Sequence, residues 1–151
     1  MNLENAILSS RFDSKIQKAG LNVLYTAWWL KTLISRELKG LGLTHEQFNV
    51  LRILKGKHPD QMCVRDIARR MIEKNSNVPR IIDRLEIKKL VNRSTSSIDK
   101  RETVIRLTDD GIDILEIANK KVKELFDEAV EINEEDATQL NELLEKMRDK
   151  E

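Results

Sequence analysis

Apolar residues recur at three- and four-residue steps along most of the chain, and the step shortens to two in one stretch only. From about Asp13 to Lys39 the positions Leu21, Leu24, Tyr25, Trp28, Thr32 and Ser35 keep helical spacing, and Trp29, Leu33 and Leu38 widen the stripe. Gly40-Leu41-Gly42 ends this helix, because glycine accepts the left-handed conformation used at helix ends. Residues 1–12 carry no firm signal. Thr44-His45-Glu46-Gln47 reads as a capping box, with the Thr hydroxyl accepting from the Gln47 amide and the Gln47 side chain reaching back. The helix it opens buries Phe48, Leu51 and Leu54, with Val50 and Ile53 beside them, and stops before Gly56 and Pro59. Gln61 to Cys63 reads as a short connector or strand. Val64 to Met71 forms a short helix with Ile67, Ala68 and Met71 inward and Arg65, Arg69 and Arg70 outward.

A link over Ile72 to Asn75 leads to another helix. Ser76 or Asn75 caps its start, and Pro79 sits in the first turn, where its missing N–H costs nothing. Val78, Ile81, Ile82, Leu85 and Leu90 supply its inner side. Asn77, Arg80, Arg84 and Lys88 share another side at three- and four-residue spacing. The period then changes: Leu90 to Thr95 and Thr103 to Leu107 alternate and are rich in β-branched residues, so they predict two strands joined by a polar loop with Asp99, Lys100 and Arg101 at its tip. Thr108 caps a long helix through about Ile132, with Ile112, Leu115, Ala118, Val122, Leu125 and Ala129 inward. Glu134-Glu135-Asp136 suits the start of a last helix, which carries Leu140, Leu143, Leu144 and Met147. The fold class is mainly α, and no internal repeat interrupts it.

Composition narrows the function. The 151 residues suffice for one domain with a real core. A single cysteine, Cys63, excludes an internal disulfide framework and a cysteine-built zinc site, and His45 and His58 alone make no typical His/Cys metal site, so no metal or other cofactor is expected. The longest apolar runs are about four residues, as at Ala27 to Leu30, so no membrane span is expected. Met1 to Lys15 holds no apolar signal region, so the protein is expected to stay in the cytoplasm. The net charge of +1 hides an asymmetry: residues 64–107 hold 12 Lys/Arg and 6 Asp/Glu, whereas residues 108–151 hold 6 and 15. A basic middle and an acidic end suggest that one part faces a polyanion and the other is repelled by it.

Helix, helix, turn, helix and two-stranded hairpin is the order of a winged helix-turn-helix, in which the second helix of the turn unit enters the major groove and the hairpin loop meets the backbone or minor groove. The residue chemistry suits that use. Asn75, Ser76, Asn77, Arg80 and Arg84 cluster on the early part of the reading helix, with Lys88 further along. Asn pairs with base edges, Arg pairs bidentately with guanine, and hydroxyls donate to phosphates. Arg101 at a loop tip, beside Asp99 and Lys100, is a long planar cation able to reach into a narrow groove, and a salt bridge to Asp99 would orient it.

These residues resemble the MarR family of bacterial transcription regulators. Asp99-Lys100-Arg101 followed by Leu107-Thr108 and Gly111 is similar to the family's wing signature. Ile67-Ala68-Arg69-Arg70-Met71 and the run Asn75 to Leu85 are similar to its turn unit and recognition helix, and the likeness runs over roughly residues 20–120. One departure is Lys89-Leu90, where the family often has Gly-Leu. The resemblance implies one MarR-like domain over residues 1–151. A winged lobe would occupy about 44–108, and N- and C-terminal dimerisation helices about 1–40 and 109–151. It implies a homodimer on a pseudo-palindromic operator in double-stranded DNA, acting as a repressor or activator, and many members release DNA on binding a small, often aromatic or phenolic, ligand between the dimer region and the DNA-binding lobes.

The residues agree in two respects. The stripe Leu140, Leu143, Leu144 and Met147 needs a partner helix to cover it, and the acidic end would be repelled by phosphate. Tyr25, Trp28 and Trp29 are the candidate ligand-pocket residues, against core packing as the default for large aromatics on a helix. Cys63 reads as a small buried apolar residue rather than a sensor. No nucleophile–base arrangement or phosphate loop appears, so no enzyme is expected. The rivals are a winged-helix protein-interaction module that has lost DNA binding, a thiol-based redox regulator using Cys63, and, more weakly, a small enzyme in the inter-lobe cleft.

Overall fold

Side-chain caps fix where most helices begin. In the computed structural model, which describes residues 1–149, the order is α1 (Leu3–Ile7), α2 (Lys15–Lys39), α3 (His45–Lys55), β1 (Met62–Cys63), α4 (Val64–Arg70), α5 (Val78–Ile87), β2 (Val91–Thr95), β3 (Thr103–Leu107), α6 (Asp109–Ala129) and α7 (Glu134–Lys146). The expected capping box opens α3: Thr44 Oγ1 accepts from the Gln47 N–H at 3.1 Å, and Gln47 Oε1 accepts from the Thr44 N–H at 3.2 Å. Thr108 caps α6 by accepting from the Gly111 N–H at 3.0 Å. Three boundaries differ from the sequence expectations. A five-residue helix, α1, precedes α2. The cap of α5 is Asn77, not Ser76 or Asn75, since Asn77 Oδ1 accepts from the Arg80 N–H at 3.2 Å. Helix α6 ends at Ala129 rather than Ile132, because Val130 turns to an extended conformation (φ −108°, ψ 99°).

Two helix ends use the same device with different residues. After α2, the Leu43 N–H donates to the Leu38 carbonyl at 3.1 Å and the Gly42 N–H to the Lys39 carbonyl at 3.0 Å. Gly42 takes the left-handed φ of 67°, whereas Gly40 stays right-handed, so the second glycine alone serves the turn. After α5, the Leu90 N–H donates to the Leu85 carbonyl at 3.0 Å and the Lys89 N–H to the Glu86 carbonyl at 2.8 Å, with Lys89 at φ 61°. Glycine, which the resemblance led one to expect there, is absent, and a lysine takes the left-handed conformation instead, at a cost of about 1 kcal/mol.

The three strands form one antiparallel sheet in the order β1-β3-β2, with Met62 opposite Ile105 and Val91 opposite Leu107. Leu51, Leu54, Ile67, Ile82, Leu85 and Ile105 make the enclosed core. The long helices join it at one end only, through Leu38 of α2 and Leu115 and Ala118 of α6. The base of the hairpin grips the start of α6. Thr108 donates its N–H to the Leu90 carbonyl (3.2 Å) and its hydroxyl to the Lys89 carbonyl (2.8 Å). Gly111 is required at that seam, since a Cβ there would lie 2.1 Å from the Leu90 carbonyl oxygen. Beyond the lobe, α2 buries only Leu38 and no described residue of α7 is buried. No helix of the described residues is long and apolar enough to cross a membrane.

Candidate nucleic-acid interface

The reading helix, α5, is held by its inner face and leaves two cations free. Val78, Ile82 and Leu85 are buried, and Arg80 and Arg84 face outward at helical spacing. Its acidic residues are neutralised from the hairpin: Arg93 of β2 pairs with Asp83 and, at 3.2 Å, with Glu86. Among the described residues neither Arg80 nor Arg84 has an ion-pair partner, so their charge is uncompensated. Arg93 was not singled out in the sequence, because its role depends on a pairing across two elements.

Not every expected site residue is presented outward. Asn75 and Asn77 are exposed, but the Asn77 oxygen is occupied by the Arg80 N–H and only its amide NH2 is free to donate. The Ser76 hydroxyl is shut off from solvent and has no hydrogen-bond partner in the protein. The Lys88 ammonium turns back to the α2–α3 turn, donating to the Gly42 carbonyl and, at 2.9 Å, to Gln47 Oε1. Lys88 therefore braces the end of α5 against the start of α3. The sequence placed it in the outward row by spacing alone.

The hairpin loop is ordered by its own polar groups. The buried Ser96 hydroxyl accepts from the Ile98 N–H (3.2 Å) and the Asp99 N–H (3.3 Å). Asp99 accepts from the Arg101 N–H at 3.0 Å and from its guanidinium at 3.2 and 3.1 Å. The expected salt bridge is thus present, and the Arg101 side chain stays 90% exposed. The Arg101 side chain, then its backbone N–H, hold the Asp99 carboxyl below its ordinary value. Lys100 is exposed beside it, and so is Ile98, an apolar tip residue that sequence pattern did not mark. Arg65 at the start of α4 pairs with Glu102 at 3.0 Å and ties the loop to the turn unit.

Behind α5, Lys31 of α2 lies between two carboxylates, 3.3 Å from Glu46 of α3 and in contact with Glu73 of the α4–α5 turn. The Glu73 bond, against an opposing effect of burial, raises the Lys31 ammonium above its ordinary value. At Glu46 burial pushes the carboxyl up, but the backbone N–H at the helix start, Lys31 and Thr44 together bring it below its ordinary value. His45 stands beside both acids, a juxtaposition invisible in a sequence scan for His and Cys alone.

A concavity of about 330 Å³ between α1 and α2 is lined by Leu3, Asn22, Tyr25, Thr26 and Trp29, with Met1 at its edge. Tyr25 and Trp29 thus share a cavity wall. Trp28 is in neither the core nor the cavity: it is 60% exposed, with its ring 5.5 Å from that of Tyr25. Cys63 is half-buried rather than enclosed, at the junction of β1 and α4.

Residues 43–103 match the model of the MarR family. The MarR transcription factor from Planctomyces limnophilus is 30% identical, with 91% of this chain and 98% of that one covered and a TM-score of 0.69. MepR of S. aureus, solved in complex with DNA, is 26% identical with coverage of 87% and 97% and a TM-score of 0.78. The HTH-type transcriptional regulator YdgJ of Bacillus subtilis is 32% identical over 85 residues, which are 56% of this chain, and the chain spans only half the length of that relative.

Proposed function

This chain belongs to the MarR family of transcription regulators, and from that premise we propose that it works in the cytoplasm as a homodimer on a pseudo-palindromic operator, from which a small ligand releases it. The observation that carries the proposal is the pair of free cations on α5 together with the 90% exposed, carboxylate-oriented Arg101 at the hairpin tip. Arg80 and Arg84 would read guanine edges in the major groove, Asn75 and the free amide of Asn77 would meet bases or phosphates, and Arg101 with Lys100 would enter the minor groove. Asp99 acts on DNA indirectly, by aiming Arg101. Lys88 contributes through the placing of α5, and the enclosed Ser76 hydroxyl is not offered to the duplex. That MepR was solved on DNA supports the same use of a similar lobe here.

The homodimer is supported by the apolar residues that the single chain leaves uncovered. Leu24 and Trp28 on α2, Leu143 on α7 and Met147 at its end face solvent. Covering them needs a second surface of the same character. The acidic residues of α6 and α7 then lie away from the duplex. The cavity beside Tyr25 and Trp29 has the size and aromatic wall for a small planar ligand, and it adjoins the helices that would join the two copies.

Selection of bound fragments from a random duplex pool tests the proposal. The expected product is an inverted repeat with half-site centres about 10 bp apart, bound by two copies with an affinity that falls steeply as salt rises. A non-repeating or empty selection overturns it.

A further inference from the structure

The hairpin loop carries one side chain that its cations do not explain. Ile98 is 97% exposed at the tip. The loop around it is closed on itself: the Ser96 N–H donates to the Glu102 carbonyl and the Glu102 N–H to the Asp99 carbonyl, both at 2.9 Å. The buried Ser96 hydroxyl holds the Ile98 N–H at 3.2 Å. The main chain at residue 98 is therefore anchored, while the side chain takes no part in holding the loop. A polar residue would suit a solvated tip, whereas isoleucine leaves a branched apolar group in water. Its surroundings select the occupant. Lys100 and Arg101 are exposed beside it. The two acids of the loop are both paired, Asp99 with Arg101 and Glu102 with Arg65. An apolar group set among cations fits a surface that is itself apolar between rows of negative charge. The minor groove of duplex DNA is such a surface, too narrow for a helix but open to single side chains, with sugar walls between two lines of phosphate. An aliphatic side chain entering it can wedge between base steps. Because the loop is already ordered, little freedom is lost on docking.

We propose that Ile98 is a specificity-determining residue of the duplex site. Beside Arg101, it packs into the minor groove as an apolar wedge against one base step. Pyrimidine–purine steps open most easily, so they are favoured at that position, outside the bases read by α5. The inference rests on the operator reading given above and adds to it a contact without charge. The two neighbours at the tip then act by different physics. The attraction of Arg101 for the duplex weakens as salt rises, and the apolar contact of Ile98 does not.

The test compares the wild type with Ile98→Ser, Ile98→Leu and Arg101→Ala in anisotropy titrations on a selected duplex over a series of salt concentrations. Ile98→Ser should bind about tenfold more weakly with an unchanged salt slope, and Ile98→Leu, which keeps the apolar area, should stay within about threefold of the wild type. Arg101→Ala should lose affinity and about one unit of slope. Fragment selection repeated with Ile98→Ser should return the same half-sites without the pyrimidine–purine preference beside them. In the free protein, the Arg101 amide resonance and the sedimentation of Ile98→Ser should match those of the wild type. The proposal is overturned if Ile98→Ser binds as the wild type does, if its slope falls, or if its flanking preference is unchanged. A shifted Arg101 resonance or altered sedimentation overturns it too, by making Ile98 a prop of the loop or a contact between proteins. Tight wild-type binding that is indifferent to residue 98 sinks this inference alone; a wild type that binds no duplex sinks the operator reading and this inference with it.

Discussion

In the winged lobe, Leu51, Leu54, Ile67, Ile82, Leu85 and Ile105 are fully enclosed by their own chain; along the outer helices, Ile16, Leu24, Trp28, Leu143 and Met147 face solvent. The two regions also differ in charge, with residues 64–107 rich in Lys and Arg and residues 108–151 rich in Asp and Glu. The lobe encloses its core with only Leu38 of α2 and Leu115 and Ala118 of α6 added from the long helices, and it holds its surface cations in fixed directions. The outer helices carry apolar stripes of the right period without a surface to bury them on. A stripe of that kind is costly to leave in water, at about 25 cal/mol per Å², and this difference is what supports the proposed homodimer.

Several substitutions break or sharpen this contrast. Gly111→Ala strikes the seam between the regions: its methyl meets the Leu90 carbonyl at 2.1 Å. It should cost upward of about 3 kcal/mol in thermal unfolding, because backbone rather than a yielding side chain is in the way. Leu51→Ala inside the lobe should lower stability by about 2–5 kcal/mol. Leu143→Ala on α7, 61% exposed, should change the stability of the isolated chain by no more than about 0.5 kcal/mol and instead shift sedimentation toward monomer. Equal losses of stability at the two leucines would erase the contrast.

Arg101→Ala should leave melting unchanged and weaken duplex binding by about 1–3 kcal/mol in anisotropy titrations. Lys89→Gly should stabilise the lobe by about 0.5–1 kcal/mol, since glycine adopts φ 61° without strain. The smallest effect is that of acid on the hairpin tip. Asp99 has a folded value below its ordinary one. Its contribution is therefore complete above the unfolded value and lost as pH falls through the depressed one. The Arg101 amide resonance should report that loss at lower pH than a free aspartate would.

Features set by neighbours in sequence were legible. The capping box at Thr44 and the cap at Thr108, the switch to period two at residues 90 and 103, and the Asp99–Arg101 pair all act within a few residues. Asn75 or Ser76 was the expected cap of α5, but Asn77, directly before the buried Val78, takes that place. The apolar period runs on through Val130 and Ile132, which concealed the end of α6. Lys88, Lys31, Glu73 and Arg93 take their partners from other elements, up to 46 residues away. No periodicity carries that information. The aromatic pattern of α2 was visible as a stripe, but not that Trp29 would turn to the cavity and Trp28 to water.

The grip of Thr108 and Gly111 on the Lys89 and Leu90 carbonyls makes the hairpin and α6 a single lever. Its long arm is 21 residues, or roughly 30 Å at the helical rise, so a tilt of about 5° swings the far end by roughly 3 Å. A load on the outer end is thus geared down to a fine adjustment at the fulcrum. Whatever grasps α6 near Ala129 sets the angle at which the hairpin is offered.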